Sequence, residues 1–274
     1  QKWKRELRRG YVLKQLEMSN RPAPSGWSPT HVIWPETAVP FVISGPSQLT
    51  RTLGRAAPRG GMVIVGIPRT TGAGTASKKM FNSLLAIDSQ GRIKDVYDKH
   101  HLVPFGEFLP LDFLLRGIIE FFNLPMSDFA AGADSQPPIL THRVAIGSAI
   151  CYEIVYPDLV AERARDANVL LTVSNDTWFG RSIGPLQHLQ MAQLRALENG
   201  RYVIRATSNG VTAIIDDQGH LRERAPQFET ASVVGDVVPM TGLTPFTRTG
   251  SWPTWLLSLL LMAPALVWKV RQPA

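Results

Sequence analysis

Strand-like apolar runs alternate with helix patterns along most of this sequence, and that alternation restricts the fold more than any other feature. Residues 62–67 and 169–173 are short, mostly apolar runs rich in valine, leucine and isoleucine, which is typical of strands covered on both faces. Residues 185–199 form a helix pattern that begins with proline and is followed by glycine. Residues 88–91 lie between two apolar runs and indicate a hairpin turn. Strands joined both by helices and by hairpins predict a layered α/β fold with mixed sheets.

The charge balance gives one weak indication about partners. The 274 residues include 29 basic and 22 acidic side chains, and residues 1–21 hold seven of the basic ones against two glutamates. A solvated helix face explains this basic start, and so does attraction to an anionic membrane surface. Basic and aromatic residues are not interleaved as in a nucleic-acid platform, so no nucleic-acid partner is expected. The sequence begins without methionine in a charged, helix-like pattern, so we expect a segment of a longer protein.

The only cysteine, Cys151, follows a run of small and β-branched residues at 145–150, and Pro157 then suits the first turn of a helix. A thiol at a strand-to-helix turn faces backbone N–H groups, which lower its pKa and can bind an oxyanion. The alternative is a cysteine that only packs as a small hydrophobic residue. A single cysteine excludes an internal disulfide and a multi-cysteine metal site.

Three charged residues are placed much as Cys151 is. Glu36 and Lys99 each follow a predicted strand, and Glu107 lies eight residues beyond Lys99 in an apolar loop. A glutamate in a closed apolar cleft can take a thiol proton, and a lysine held between carboxylates can stabilise negative charge on a tetrahedral intermediate. Taken singly, each is better explained as an ordinary surface charge, and spacing alone does not select these residues.

Residues 99–138 form a long, proline-rich segment with many apolar side chains. Long irregular segments in compact domains are often lids or binding loops. A short amphipathic helix packed on the core explains the segment equally well.

The C-terminal segment differs in kind from the rest of the chain. Residues 249–268 are 20 uncharged residues with tryptophans near both ends. At about 1.5 Å per residue a helix of this length matches the roughly 30 Å of a bilayer's hydrocarbon core. Lys269 and Arg271 then favour a cytoplasmic C-terminus, with the globular domain on the far side. The alternative is a buried C-terminal core helix.

The nitrilase (carbon–nitrogen hydrolase) superfamily has three signature segments that this sequence resembles: Trp-Pro-Glu at 34–36, Asp-Lys-His-His-Leu-Val-Pro-Phe-Gly-Glu at 98–107 and Ile-Cys-Tyr-Glu at 150–153. The resemblance implies an αββα sandwich with mixed sheets. With the terminal span added, we expect a catalytic domain at 1–247 and a transmembrane helix with a short cytoplasmic tail at 248–274.

Further segments resemble the apolipoprotein N-acyltransferase branch of that superfamily; they lie at 124–127, 174–180, 182–185 and 241–245. This resemblance implies an enzyme of the inner membrane with its catalytic domain on the periplasmic side. It would move a fatty acyl chain from a phospholipid, through a cysteine thioester, to the α-amino group of a diacylglyceryl-cysteine at the N-terminus of an apolipoprotein. No metal or organic cofactor is implied, and the oligomeric state stays open. The branch also has an N-terminal bundle of membrane helices, which these residues do not include.

The same resemblance implies roles for individual residues. Glu36 is the general base and Cys151 the nucleophile. Lys99, with the backbone N–H that follows Cys151, stabilises the oxyanion, and Glu107 positions Lys99 or the substrate. The expected substrate-binding residues are Asn82, Tyr152, Glu153, Trp178 and Phe179.

Two rival functions remain at this point. The first is an amidase or nitrilase that hydrolyses a carbon–nitrogen bond with the same triad and water as second nucleophile; the terminal span argues against it. The second is a membrane-anchored binding domain on the same scaffold, for which Cys151 would be dispensable.

Overall fold

A computed structural model describes residues 6–24, 26–72, 74–75, 77–108 and 128–270 of the chain. Two β-sheets form the centre of this part of the protein. The predicted alternation of helices and strands is confirmed, and the lengths of the elements differ from the predicted ones by one or two residues at most ends.

The first sheet comes from the N-terminal half and has four strands. They are β1 (His31–Ile33), β2 (Met62–Thr71), β3 (Lys79–Asp88) and β4 (Ile93–Asp98), in that order. β1 and β2 are parallel, because the chain between them crosses over through α2 (Gln48–Leu53). β2, β3 and β4 are antiparallel, so the hairpin predicted at 88–91 is confirmed.

The second sheet has six strands: β5 (Ile139–Leu140), β6 (Ala145–Ile150), β7 (Val169–Asn175), β8 (Val203–Ser208), β9 (Ala213–Ile215) and β10 (Leu221–Arg224). β6, β7 and β8 are parallel neighbours, joined through α3 (Pro157–Arg165) and α4 (Gly184–Asn199). The outer strands pair antiparallel. As a result, the carboxyl ends of β6 and β7 lie side by side.

Three hydrophobic clusters separate four layers. Alternate residues of β2 point in opposite directions: Val63 and Val65 pack on the side of α1 (Arg8–Ser19), whereas Ile64 packs against the second sheet. α3 and α4 cover the outer face of the second sheet. The order helix, sheet, sheet, helix is the αββα sandwich with mixed sheets that the sequence predicts.

The valine-rich composition of residues 231–238 predicts a strand, but this strand does not form. Residues 231–238 pair with no strand among the described residues, and Val238 is 50% exposed. The segment beyond them is held by single bonds such as Met240 N to Asn168 O, at 3.0 Å, rather than by a ladder. An apolar run without a strand edge beside it stays irregular, which corrects the prediction.

The C-terminal segment is helical, as predicted: α5 (Pro245–Thr249) is followed by α6 (Trp252–Val270). Trp255 and Leu261 are each 70% exposed, so the described side chains of α6 are not buried in the core. In the part of the chain that the structure describes, no helix meets the length and hydropathy required of a bilayer-crossing segment. The transmembrane helix therefore stays a prediction. The short tail predicted after it, and residues 109–127 of the predicted apolar loop, lie outside the described residues.

Candidate active site

Cys151 lies at the end of β6 and begins a short 3-10 turn (Cys151–Val155) that leads into α3. Its φ angle is +55°, in the left-handed region that residues with a side chain seldom adopt. Such a backbone costs about 1–2 kcal/mol, and it persists only where the surroundings hold it. The sulfur lies 3.5 Å from Ser174 Oγ, on the neighbouring strand β7.

Glu36 belongs to the first half of the chain, and its side chain lies near Cys151. It follows β1 and is 6% exposed. Its Oε1 accepts a hydrogen bond from Asn82 Nδ2 at 2.7 Å, and its Oε2 accepts one from the backbone N–H of Asn175 at 2.7 Å. Because Asn175 directly follows Ser174, the carboxylate is fixed across the gap between the two sheets, beside the thiol.

Gly66 of β2 makes room for the turn that carries Glu36. A Cβ atom at this position would lie 2.4 Å from the backbone oxygen of Pro35 and 2.7 Å from the Cα atom of Glu36. These atoms are backbone, so they cannot move aside without shifting the turn.

Gly66→Ala is therefore expected to lower the free energy of unfolding by about 1–3 kcal/mol, the usual cost of overpacking. Chemical denaturation with circular dichroism measures the change. Gly45→Ala is the matched control, since a Cβ there has no atom within 4 Å. Equal stability of the two variants would show that the Glu36 turn does not depend on this close approach.

Lys99 follows β4 and is 1% exposed. Its Nζ lies 2.7 Å from Glu107 Oε2, and Glu107 is held in turn by Asn82 Nδ2 at 3.1 Å and by the backbone N–H of Val103 at 2.9 Å. Burial would lower the pKa of Lys99, but the charges of Glu36 and Glu107 and the hydrogen bond to Glu107 act in the opposite direction, and that pKa is raised. Lys99 is therefore a charged ammonium group in a buried site.

The Cys151 thiol has a pKa raised to about 12. Burial is the main cause and the negative charge of Glu36 adds to it, while Lys99 and the hydrogen bond from Ser174 act in the opposite direction. The lowered pKa that the sequence predicts for this thiol is not found, because the effect of burial is larger than that of the turn. The resting thiol is thus protonated at neutral pH and needs a base to become a nucleophile.

Glu153 has no exposed surface. Its carboxylate accepts hydrogen bonds from four groups at 2.6–2.9 Å: the backbone N–H of Ile150, His100 and His101, and the Tyr97 hydroxyl. It thereby joins the start of the Cys151 turn to the residues after Lys99. Substrate binding by Glu153, expected from the sequence, stays a prediction, although the side chain has no exposed surface.

The remaining predicted substrate-binding residues differ in how exposed their side chains are. Tyr152 is 39% exposed and Trp178 is 76% exposed, so both can contact a ligand. Phe179 is partly buried, with its ring 5.9 Å from that of His188. Asn82 lies inside the site, where it bridges Glu36 and Glu107. Substrate binding by these residues stays a prediction.

A buried polar group next to Cys151 was not predicted from the sequence. It consists of Asp176, His188 and Arg205, each 3% exposed or less. Two features of the sequence could have indicated this group. His188 lies on the apolar face of the 185–199 helix pattern, and Arg205 lies within an apolar strand, both at positions where a core residue is expected.

Four layers in this order, with a thiol at a strand-to-turn junction beside a lysine and two glutamates, define a nitrilase-type protein. The chain belongs to the carbon–nitrogen hydrolase family, whose model matches residues 10–244. A nitrilase-superfamily protein of Saccharomyces cerevisiae superposes with a TM-score of 0.58 at 21% identity, over 82% of this chain and 80% of that one. A carbon–nitrogen hydrolase superfamily protein of Xanthomonas campestris gives 0.62 at 18% identity, over 89% and 90%. At these identities the similarity concerns the fold.

Closer relatives in sequence bear the name apolipoprotein N-acyltransferase. The protein of Pseudomonas syringae pv. tomato is 48% identical over 237 residues, which are 86% of this chain and 46% of that protein. The protein of Pseudomonas putida is 46% identical over 257 residues, 93% of this chain and 49% of that protein. The chain spans about half the length of these relatives.

Proposed function

We propose that this protein transfers a fatty acyl chain from a phospholipid to the α-amino group of an apolipoprotein's N-terminal diacylglyceryl-cysteine. One observation carries the proposal: Glu36, Lys99 and Cys151, from distant parts of the chain, meet through shared partners. Asn82 bridges Glu36 and Glu107, and Glu107 is the ion-pair partner of Lys99. Glu36 also accepts a hydrogen bond from the backbone N–H of Asn175, and Oγ of the preceding Ser174 lies 3.5 Å from Cys151 Sγ. The relatives' name supports the choice of substrates.

In the first half-reaction, Glu36 takes the proton of the thiol as Cys151 Sγ attacks the carbonyl carbon of the phospholipid ester. Lys99 and the backbone N–H that follows Cys151 stabilise the oxyanion. When the tetrahedral intermediate collapses, the C–O bond breaks and the proton on Glu36 goes to the leaving oxygen. The products are a Cys151 thioester and a lysophospholipid.

In the second half-reaction, the free α-amino group of the acceptor attacks the thioester carbonyl. Glu36 accepts a proton from the amine and gives it to the departing sulfur, so the C–N bond forms as the C–S bond breaks. Glu107 and Asn82 keep Lys99 and Glu36 in place during both steps, through the contacts at 2.7–3.1 Å.

Membrane contact is part of the proposal, because the acyl donor is a lipid. The strongly exposed Trp252, Trp255 and leucines of α6 are suited to a bilayer and are costly to expose to water. Trp178 adds an exposed apolar side chain two residues beyond Asp176, near the site. We place the catalytic domain, residues 1–247, on the periplasmic face of the inner membrane, with residues 248–274 as the anchor and tail.

The proposal predicts a trapped acyl-enzyme. Incubation with vesicles of a dipalmitoyl phospholipid is expected to add one palmitoyl group, which peptide mass spectrometry locates on Cys151. A synthetic peptide with an N-terminal diacylglyceryl-cysteine and a free α-amino group is then expected to remove it as an amide, while the same peptide with an acetylated amine is not. Release by water at an equal rate with either peptide would favour the hydrolase, and absence of acylation would refute the proposal.

A further inference from the structure

A closed hydrogen-bonded group lies directly behind the nucleophile. His188 of α4 is 3% exposed, and Asp176 and Arg205 are fully buried. Nε2 of His188 lies 3.1 Å from the backbone oxygen of Cys151, and Nδ1 lies 2.9 Å from Asp176 Oδ1. The ring therefore connects a buried carboxylate to the main chain of the residue that carries the thiol.

The charge on Asp176 fixes how the histidine ring is oriented. Burial would raise the pKa of Asp176, but the hydrogen bond from His188 and the charge of Arg205, 2.8 Å away, more than offset it and lower that pKa. The ionised carboxylate is an acceptor only, and so is the Cys151 carbonyl. Both ring nitrogens of His188 therefore face acceptor oxygens, one on Asp176 and one on Cys151.

The Cys151 carbonyl is the part of the nucleophile that needs such support. At φ +55° this residue holds an unfavourable backbone conformation, which sets the directions of both its side chain and its carbonyl group. The ring cannot easily swing away, because the Phe179 ring packs edge-on against it and Leu189 beside it is buried.

We infer that His188 is a positioning residue, which fixes the Cys151 carbonyl through Nε2 and thereby the left-handed backbone that presents the thiol to Glu36 and Lys99. Asp176 orients the ring for this bond. The inference rests on the proposed function only in taking Cys151 as the nucleophile.

Two substitutions distinguish the two hydrogen bonds that the His188 side chain makes, one to Asp176 and one to the Cys151 carbonyl. In His188→Gln, the side-chain amide nitrogen can take the place of Nε2 and donate to the Cys151 carbonyl. In His188→Asn, the shorter side chain places its amide nitrogen near Nδ1, where it can donate to Asp176 but does not reach the carbonyl. Each variant loses one ring bond, so a purely structural role predicts similar losses in both.

The readout is the second-order rate of Cys151 alkylation by iodoacetamide in the 274-residue chain at a fixed pH. Cys151 is the only thiol, so the rate reports on this residue alone. We expect His188→Asn to change the rate by about tenfold or more from wild type, and His188→Gln to stay within about threefold of it, at comparable melting temperatures. Equal rates in the two variants would overturn the inference.

Asp176→Asn covers the case in which either His188 variant fails to fold. It keeps the side-chain volume and removes the charge that orients the ring, so the alkylation rate is expected to differ from that of the wild type by about tenfold or more. A wild-type rate in a folded Asp176→Asn protein would refute the inference. Because alkylation needs no substrate, this result is distinct from a failure of the acyl-transfer proposal, which is tested by thioester formation.

Discussion

Replacing Cys151 with alanine is expected to abolish both the acyl-enzyme and the overall transfer, with a loss of at least about 10⁴-fold in rate. No other thiol exists in the chain to take over the attack. Ser174, whose Oγ lies 3.5 Å from the sulfur, donates a hydrogen bond to Asp176 Oδ1 and starts from a different position than the thiol. Transfer of a labelled acyl chain to the acceptor peptide measures the overall loss, and mass spectrometry measures the acyl-enzyme.

Val42→Ala serves as the control for this experiment, since Val42 is 56% exposed and has no part in the site. Its transfer rate is expected to match that of the wild type. Melting temperatures of both variants establish that they are folded. Retention of more than about one-hundredth of the activity by folded Cys151→Ala protein would remove the covalent mechanism and favour a binding domain on the same scaffold.

The fold was largely predictable because its signals are local. The hairpin around residues 88–91 and the helix that begins near Pro185 each follow from a few neighbouring residues with defined backbone preferences. Residues 231–238 have a strand-like composition but no partner strand among the described residues. Whether an apolar run pairs depends on a distant strand edge, and no window of sequence contains that information.

The site was predictable only in part, for the same reason. The resemblance selected Glu36, Lys99 and Cys151, but the bridge from Asn82 to both glutamates exists only after β1, β3 and the loop after β4 have come together. His188 looks like one more inward position of an amphipathic helix. Its contact with Asp176, the residue that follows strand β7, exists only in the folded protein.

Lys99→Met is expected to have the second large effect, on catalysis and stability together. Loss of one oxyanion donor commonly costs about 10²–10³-fold in turnover, and acyl-enzyme formation measured at saturating phospholipid tests this. The methionine has a similar volume and no charge, so the buried carboxylate of Glu36 and the partly buried carboxylate of Glu107 lose their ammonium partner. Breaking a buried ion pair from one side costs about 3–5 kcal/mol of folding free energy.

This loss of stability is expected to depend on pH in a defined direction. The folded-state pKa of Lys99 is raised above its unfolded value, so the stability that Lys99 contributes is fully present below the unfolded lysine pKa, about 10.4, and is lost as the pH rises through the folded pKa. The difference in unfolding free energy between the wild type and Lys99→Met is therefore expected to stay constant near neutral pH and to narrow at alkaline pH. Denaturation at several pH values measures it, with Lys79→Met as control, because Lys79 is an exposed lysine in the same sheet. A pH-independent difference, or a fully active Lys99→Met protein, would mean that Lys99 does not balance these carboxylates and does not stabilise the oxyanion.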